Sequence, residues 1–559
     1  NQNFSSTATT SFNTAIGFEA GNSINTGQSN SLVGYESGKN LTTGFANTVV
    51  GSSALNAEDS GRYNTAIGAG ALETLNSDVD NFNTAVGYQA AQGNSVSSFI
   101  QTVAIGAKAL HELTTGNYNV AVGFEALEET TVGDYNTAVG TYALKVNVNG
   151  DRSTAIGYGA LLSQGPSTAT NADYQNVAVG MHAGYNLTTG KKNVFVGYEA
   201  GNSDSTNKAT GDGNTFVGNE AGHDITSGYH NVLVGHLSGD SITTGYANVA
   251  VGYRAMQNND EGQHNVAIGT QAMDVYQPAS AGSGYNVALG AFAGLALSTG
   301  AQNTILGGLA GRSLTTENSC TMVGYGAGYY NETGANNTFI GVETAQGLST
   351  AVLTGDHNTC LGYRAGFALQ GSAQVNTCLG AKAGESVTTG DGNVFVGYAA
   401  GSGQITSADN YLYIARDGTG AANAATWIYG NPSGVLIQGN NSSTWTTSSD
   451  RRIKKNIVDA TVGLTEINKL KIKNFEYRTK DELESGNEGL TTCDKKGVQL
   501  GLIAQEVQEV FPNDVSDAQG NGTLAINPDE INFALIKAVQ ELSAKVTALE
   551  ARVATLEGT

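Results

Sequence analysis

Asn13-Thr14-Ala15-Ile16-Gly17-Phe18-Glu19-Ala20-Gly21 decides how most of this chain is read, because the chain keeps returning to it. Related stretches are Asn47-Thr48-Val49-Val50-Gly51, Asn231-Val232-Leu233-Val234-Gly235-His236-Leu237-Ser238-Gly239 and Asn393-Val394-Phe395-Val396-Gly397-Tyr398-Ala399-Ala400-Gly401. Counted by the central glycine there are 22 copies from Gly17 to Gly397, 17 residues apart in most steps and 18, 19, 21 or 23 in the rest. A fixed period whose extra residues fall in one place, as at 163–173 and 204–213, is the pattern of a solenoid with loops on one side.

Before each central glycine stand Thr, Val or Ser, then a variable apolar residue, then Ile, Val or Leu. Adjacent strand residues point to opposite faces, so such a strand is covered on both. One face can fill the coil's interior. The other needs a neighbour: an oligomer is expected, with the inserted loops of a monomer as the alternative. The central glycine is read as a left-handed turn. A second glycine ten residues on, as at Gly44, Gly190, Gly245, Gly300 and Gly390, is read as another, which predicts two short strands per coil. Asn four residues before the central glycine is expected to form a coil-to-coil hydrogen-bonded ladder. At about 4.8 Å per coil the copies build a rod of roughly 105 Å. Over residues 12–401 the signature resembles the head repeats of trimeric autotransporter adhesins, left-handed parallel β-rolls with an Ala-Ile-Gly-x-x-Ala core, and that resemblance implies a trimeric surface rod.

Composition agrees with a stacked repeat: in 559 residues there are 75 glycines and only 14% charged side chains. The net charge is −22, of which −18 lies on residues 1–448. An acidic rod repels phosphate backbones, so no nucleic-acid partner is expected. No apolar run reaches the roughly 18 residues of a membrane span, so no membrane insertion is expected. Cys320, Cys360 and Cys378 occupy apolar repeat positions and are read as buried small side chains, and Cys493 adds no disulfide framework. The seven histidines lack close ligand spacing, and no metal or cofactor is expected. Glu19, Glu36, Glu125, Glu199 and Glu220 all stand two after a central glycine and are read as a solvated row rather than an acid/base pair. Tyr35, Tyr88, Tyr158, Tyr198, Tyr253 and Tyr398 follow the glycine directly, placed to cap turns or to stack on sugars. The chain opens at Asn1 inside repeat-like sequence, so an N-terminal part anchoring it to a virion or another surface is expected.

Past Gly401 the period stops. Tyr411–Ala415, Thr426–Gly430 and Gly434–Gly439 read as short strands between turns. Trp427, Tyr429 and Trp445 are either the core of a small knob or contacts to a receptor. From Asn527 the pattern turns helical, with Asn527 as cap, Pro528 at the first position and Asp529 and Glu530 favouring the dipole. Leu535, Val539, Leu542, Val546, Leu549, Val553 and Leu556 then alternate steps of four and three, a heptad seam with Val at a and Leu at d. Lys545 with Glu550 and Arg552 with Glu557 stand at g and the following e, which favours a parallel coiled coil. Val at a with Leu at d does not by itself select three strands.

Between these lies Ser449-Asp450-Arg451-Arg452-Ile453-Lys454-Lys455-Asn456-Ile457, followed by Gly501-Leu502-Ile503-Ala504-Gln505-Glu506-Val507 and Phe511-Pro512. In this order the motifs resemble the C-terminal intramolecular chaperone of endosialidase-type phage tail spikes and fibres. The resemblance implies a domain that trimerises, directs folding of the β-body before it, and releases itself by cutting before its first serine. Carried over, Ser449 is the nucleophile, Lys454 its general base, Asp450 and Arg452 complete the motif, and the bond between Ser448 and Ser449 is cut. The chemistry is reasonable on its own terms: a serine needs a base, and lysine serves only with a lowered pKa, for which burial beside Arg451, Arg452 and Lys455 is expected. Asn456 is a candidate donor to the developing oxyanion. Without the resemblance, the same run reads as a capped helix with a solvated basic face.

The expected architecture is mainly β: a β-solenoid shaft over 1–401, a β-rich connector or tip over 402–447, a self-cleaving chaperone over 448–526 and its coiled coil over 527–559. The expected protein is an extracellular homotrimeric tail fibre or spike of a virion that reaches a host-surface receptor, a glycan among the candidates. A polysaccharide depolymerase on the same solenoid and a cell-surface adhesin are the alternatives. The only enzyme chemistry expected is a single-turnover cut of its own chain.

Overall fold

A computed structural model describes residues 11–558 apart from 79, 95–96, 167–171, 204–205, 207, 279–283, 404–405, 416–425, 434–435, 439–450, 452–453, 484, 486–495 and 518–521. The chain divides into two units, 1–444 and 445–559, each described by itself.

The first unit is a parallel β-solenoid. Each copy contributes one three-residue strand, from Thr14–Ile16 to Val394–Val396, and the strands join one 25-stranded sheet. Neighbours pair parallel and in register, Thr14 with Ser31, Ala15 with Leu32 and Ile16 with Val33 at the start, and Thr377 with Val394 at the far end. The middle residue of each strand points inward. Leu32, Ala66, Phe195, Phe216 and Cys360 are wholly buried there. Ala three residues after the central glycine and Leu or Ile seven after it complete the interior, as Ala71 and Leu75 do.

The central glycines stack on one another. Gly34 has φ +141°, and a Cβ on it would stand 2.4 Å from the carbonyl oxygen of Gly51, so both conformation and space require glycine. Gly44 is different from its sequence reading. It makes no left-handed turn; a Cβ there would meet the carbonyl oxygen of Gly61 at 2.4 Å and the Leu41 side chain at 2.5 Å. The second glycine is selected by close approach of coils.

The expected second strand does not form as a regular element. On that side the described pairings are the two-residue Gly150–Asp151 with Ala172–Asp173 and isolated bridges such as Arg62 with Asp80. Left-handed residues explain why. Tyr63 (φ 60°) and Glu36 (φ 53°) represent two positions that repeat along the rod, and such residues bend the backbone before an extended run can grow.

Side chains hold the irregular side instead. Asn47 donates its backbone N–H to Oδ1 of Asn30 at 3.0 Å, and Asn64 does the same to Asn47 at 3.0 Å. The amide of Asn30 donates to the carbonyl of Gly44 at 2.9 Å. This is the expected asparagine ladder, and it is buried. At Ser153 the asparagine is missing, and Gln164 fills in: its amide donates to Ser153 Oγ at 3.0 Å, and its oxygen accepts from Asn176 at 2.8 Å.

A second ladder, six residues before the central glycine, was not read from the sequence. Asn117 N–H donates to Asp134 Oδ1 at 2.6 Å, Asp134 N–H to Asp151 at 2.8 Å, and Asp391 N–H to Asp409 at 2.8 Å. Here the later coil's side chain accepts from the earlier backbone, the reverse of the asparagine ladder. The signal was the recurrence of Asp or Asn at that position.

After the last repeat, Leu412–Ala415 adds one further parallel rung beside Val394–Val396, so the solenoid continues past Gly401. Thr426–Gly430 then pairs antiparallel to it, and Leu436–Gln438 pairs antiparallel to Thr426–Gly430 in turn.

The second unit is small and α+β. It contains α1 (Leu464–Ile467), a strand pair Lys473–Phe475 with Gln499–Gly501, α2 (Ala504–Gln508), a pair Val515–Ser516 with Ala525–Ile526, and α3 (Asp529–Glu557). Val507, Phe511, Val515, Ile531 and Ala534 form its core.

Candidate functional site

Three places bear on function: the outer face of the shaft, the aromatic connector and the C-terminal unit.

On the shaft, the residue just before each central glycine faces outward, and Ile67, Val139, Ile268 and Leu379 are among those left exposed. Among the described residues nothing covers this row. The Glu row lies beside it in sequence, and part of it is ion-paired from coil to coil. Lys39 reaches Glu19 at 2.6 Å and Glu36 at 2.9 Å, and the hydrogen bond to Glu19 is the main reason its pKa is raised. Glu125 pairs with Lys145, and Glu199 has His182 at 3.4 Å. These carboxylates form a surface ladder. The tyrosines after the glycines remain half exposed; Phe18 and Tyr35 stack with centroids 5.5 Å apart. Cys320, Cys360 and Cys378 are buried thiols, and Cys493 lies outside the described residues.

In the connector, Trp427 is 62% exposed. Tyr429 packs against Tyr413 and Tyr411, with centroids 5.0 and 6.0 Å away. The knob-core reading is therefore corrected for Trp427, while Tyr429 takes part in packing. Trp445 lies outside the described residues.

In the C-terminal unit, α3 is anchored at its start by a residue the sequence reading passed over. Asp514 is buried, and its two carboxylate oxygens accept the backbone N–H groups of Glu530 at 2.9 Å and Ile531 at 2.8 Å. Asn527, the expected cap, instead donates to the Asp529 carboxylate at 3.4 Å. The helix begins at Asp529, one residue after Pro528. An aspartate two residues past Phe511-Pro512 was the available signal. Further along α3, Glu541 accepts the N–H of Leu464 at 3.1 Å and so ties down α1.

The heptad residues Leu535, Val539, Leu542, Val546, Leu549, Val553 and Leu556 all remain exposed on the single chain. Ile531, Ala534 and Ala538 are the buried ones, on another side of the helix.

Of the cleavage motif, Ser448, Ser449, Asp450 and Arg452 lie outside the described residues. Lys454 is exposed, and its backbone N–H donates to the carbonyl of Arg451 at 3.3 Å. Arg451, Lys455 and Asn456 are exposed too, and Asn456 adopts φ +56°. The expected burial of Lys454 is thus not supplied by one chain. The reason is local: every described residue from Arg451 to Val462 is exposed, and the core begins only at Gly463.

Residues 449–516 match the family model for the chaperone of endosialidase. The molecule is therefore a long parallel β-solenoid carrying an intramolecular chaperone domain of that type. No solved structure matches the chain. Among the described residues no helix is long and apolar enough to cross a membrane.

Proposed function

We propose that this chain forms a homotrimeric fibre or spike of a viral tail that attaches to a host surface, aligned by its C-terminal domain, which then cuts itself away between Ser448 and Ser449. The observation that carries this reading is the pairing of a chaperone-type domain with a rod whose outer apolar row is uncovered. Covering a half-exposed Ile, Val or Leu stabilises by roughly 1 kcal/mol, and every coil places one of these three residues in the row. Near-identical coils offer many registers of almost equal energy. A non-repetitive domain at one end selects among them, and its removal afterwards leaves a kinetically stable rod.

Ser449 and Lys454 are the proposed nucleophile and base, with Asp450, Arg452 and Asn456 in support. Lysine acts as a base when desolvated, and in this reading the subunits supply that burial when they close. Cutting then follows assembly. Trp427 is the foremost receptor contact, with a glycan as one candidate, and Tyr429 and Trp445 lie near it in the sequence.

Mass and stoichiometry of the purified product test the proposal together. Three chains, each divided into 1–448 and 449–559, are expected. An uncut monomer overturns it.

A further inference from the structure

The first half of α3 has three apolar faces, and two are accounted for. Ile531, Ala534 and Ala538 pack on their own domain, and Leu535, Val539 and Leu542 belong to the heptad seam. Phe533 and Ile536 lie on neither, and they are 71% and 58% exposed. With Val539 at a and Leu542 at d, Ile531 and Ala538 fall at g, Ile536 at e and Phe533 at b. The domain's own globule thus occupies the g side of its helix, and the exposed pair occupies the e side.

Beside the g side lies an open apolar groove of about 360 Å³. It is lined by Leu470, Ile472, Leu500 and Leu502, with Ile531 and Leu535 from α3. Ile472 and Leu500 are strongly exposed. Charge says what approaches it. Lys545 and Arg552 stand at g, Glu550 and Glu557 at e. Opposite charges meet only when g of one helix faces e of a parallel, in-register neighbour; an antiparallel pair sets Lys545 and Arg552 against like charges. The same juxtaposition brings a neighbour's Ile536 and Phe533 to the groove.

We infer that the groove seats Phe533 and Ile536 of the next copy of this chain, each subunit giving one pair and receiving another around a closed ring. This rests on the trimeric reading above and names what fixes its register. The charge pairs recur every seven residues and tolerate a slip of one heptad. The apolar pair does not recur: one heptad later the same positions hold Gln540 and Ser543. A slipped helix therefore places polar side chains in the groove.

Two experiments on the full chain decide the matter. Phe533→Ser with Ile536→Ser is expected to lower the yield of soluble trimer roughly tenfold or more, with helix content unchanged because both side chains are exposed. In a Cys493→Ser background, chains carrying Ile536→Cys are co-expressed with differently tagged chains carrying Leu500→Cys, then oxidised and run unreduced. Cross-links joining the two tags are expected. A wild-type trimer whose double serine variant assembles normally, without such cross-links, overturns this inference and leaves the trimeric reading standing. A monomeric wild-type chain overturns both.

Discussion

Phe216 and Gly222 share one volume: a Cβ built on Gly222 would stand 2.5 Å from Cε2 of the Phe216 ring. The same trade recurs along the rod. At several coils a large middle strand residue stands with glycine six later, as Phe195 does with Gly201, and an alanine stands with leucine, as Ala66 does with Leu72 and Ala121 with Leu127; Ala178 with Gly184 and Phe339 with Ala345 depart from the pattern. Leu72 and Leu127 accept φ near +53° there, so a leucine can adopt the backbone of Gly222.

Phe216→Ala is expected to destabilise the shaft by about 3–5 kcal/mol through the cavity it leaves. Gly222→Leu alone overpacks and costs about 1–3 kcal/mol. The double variant rebuilds the Ala/Leu arrangement and is expected to recover most of the loss, a non-additivity that a double-mutant cycle of unfolding measurements reads directly.

Glu58 occupies an interior column that elsewhere holds Leu41 or Leu75. Burial pushes its carboxyl up to about 7, against backbone donors at Gly61 (2.7 Å), Ser60 and Ser77 that favour the charged form. Between pH 4.5 and 7 the folded state therefore holds a proton that the unfolded state has lost, and stability falls as pH rises through that window. The total is roughly 3 kcal/mol. Unfolding measured at pH 4.5 and pH 8 should show this slope in the natural chain and lose it in Glu58→Gln; an unchanged slope would remove Glu58 as its source.

Asp514→Ala leaves two N–H groups at the start of α3 without an acceptor, and a cost of about 1–2 kcal/mol is expected. Circular dichroism should register reduced helix stability, and Asn527→Ala should have the smaller effect.

Ser449→Ala should yield a chain that stays whole on a denaturing gel, and Lys454→Ala one that is cut at least a hundredfold more slowly. Efficient cutting by the Ser449→Ala chain would exclude it as the nucleophile.

Trp427→Ala should abolish attachment to host cells while the shaft unfolds at its normal temperature, since the ring is largely exposed. Loss of folding instead would return Trp427 to a structural role.

The solenoid was legible because its signal is repeated: Ile or Val before glycine, and Asn at a constant offset, recur too often to be accidental. What escaped was whatever depends on contact between coils. Gly44 reads as a turn residue in one dimension, yet it is small because Gly61 of the next coil lies against it. The Asp134 ladder was visible only as a weak recurrence, since Phe45, Tyr229 and Tyr246 share its column. In the C-terminal unit the helix was plain from its heptads, but its cap came from Asp514, 16 residues before Glu530, a separation local rules do not reach. Ser449 and Lys454 were named from a resemblance carried by the order of motifs; Ser449 lies outside the described residues, and Lys454 is exposed on the single chain.

Where the two opposed side-chain ladders run, each coil both donates to and accepts from its neighbours, so successive coils are joined in the same way. Inserting or deleting one 17-residue unit would change the molecule's reach by a single strand spacing, about 5 Å, without disturbing the joints on either side. The sequence can thus be lengthened or shortened like a graduated ruler, one coil at a time.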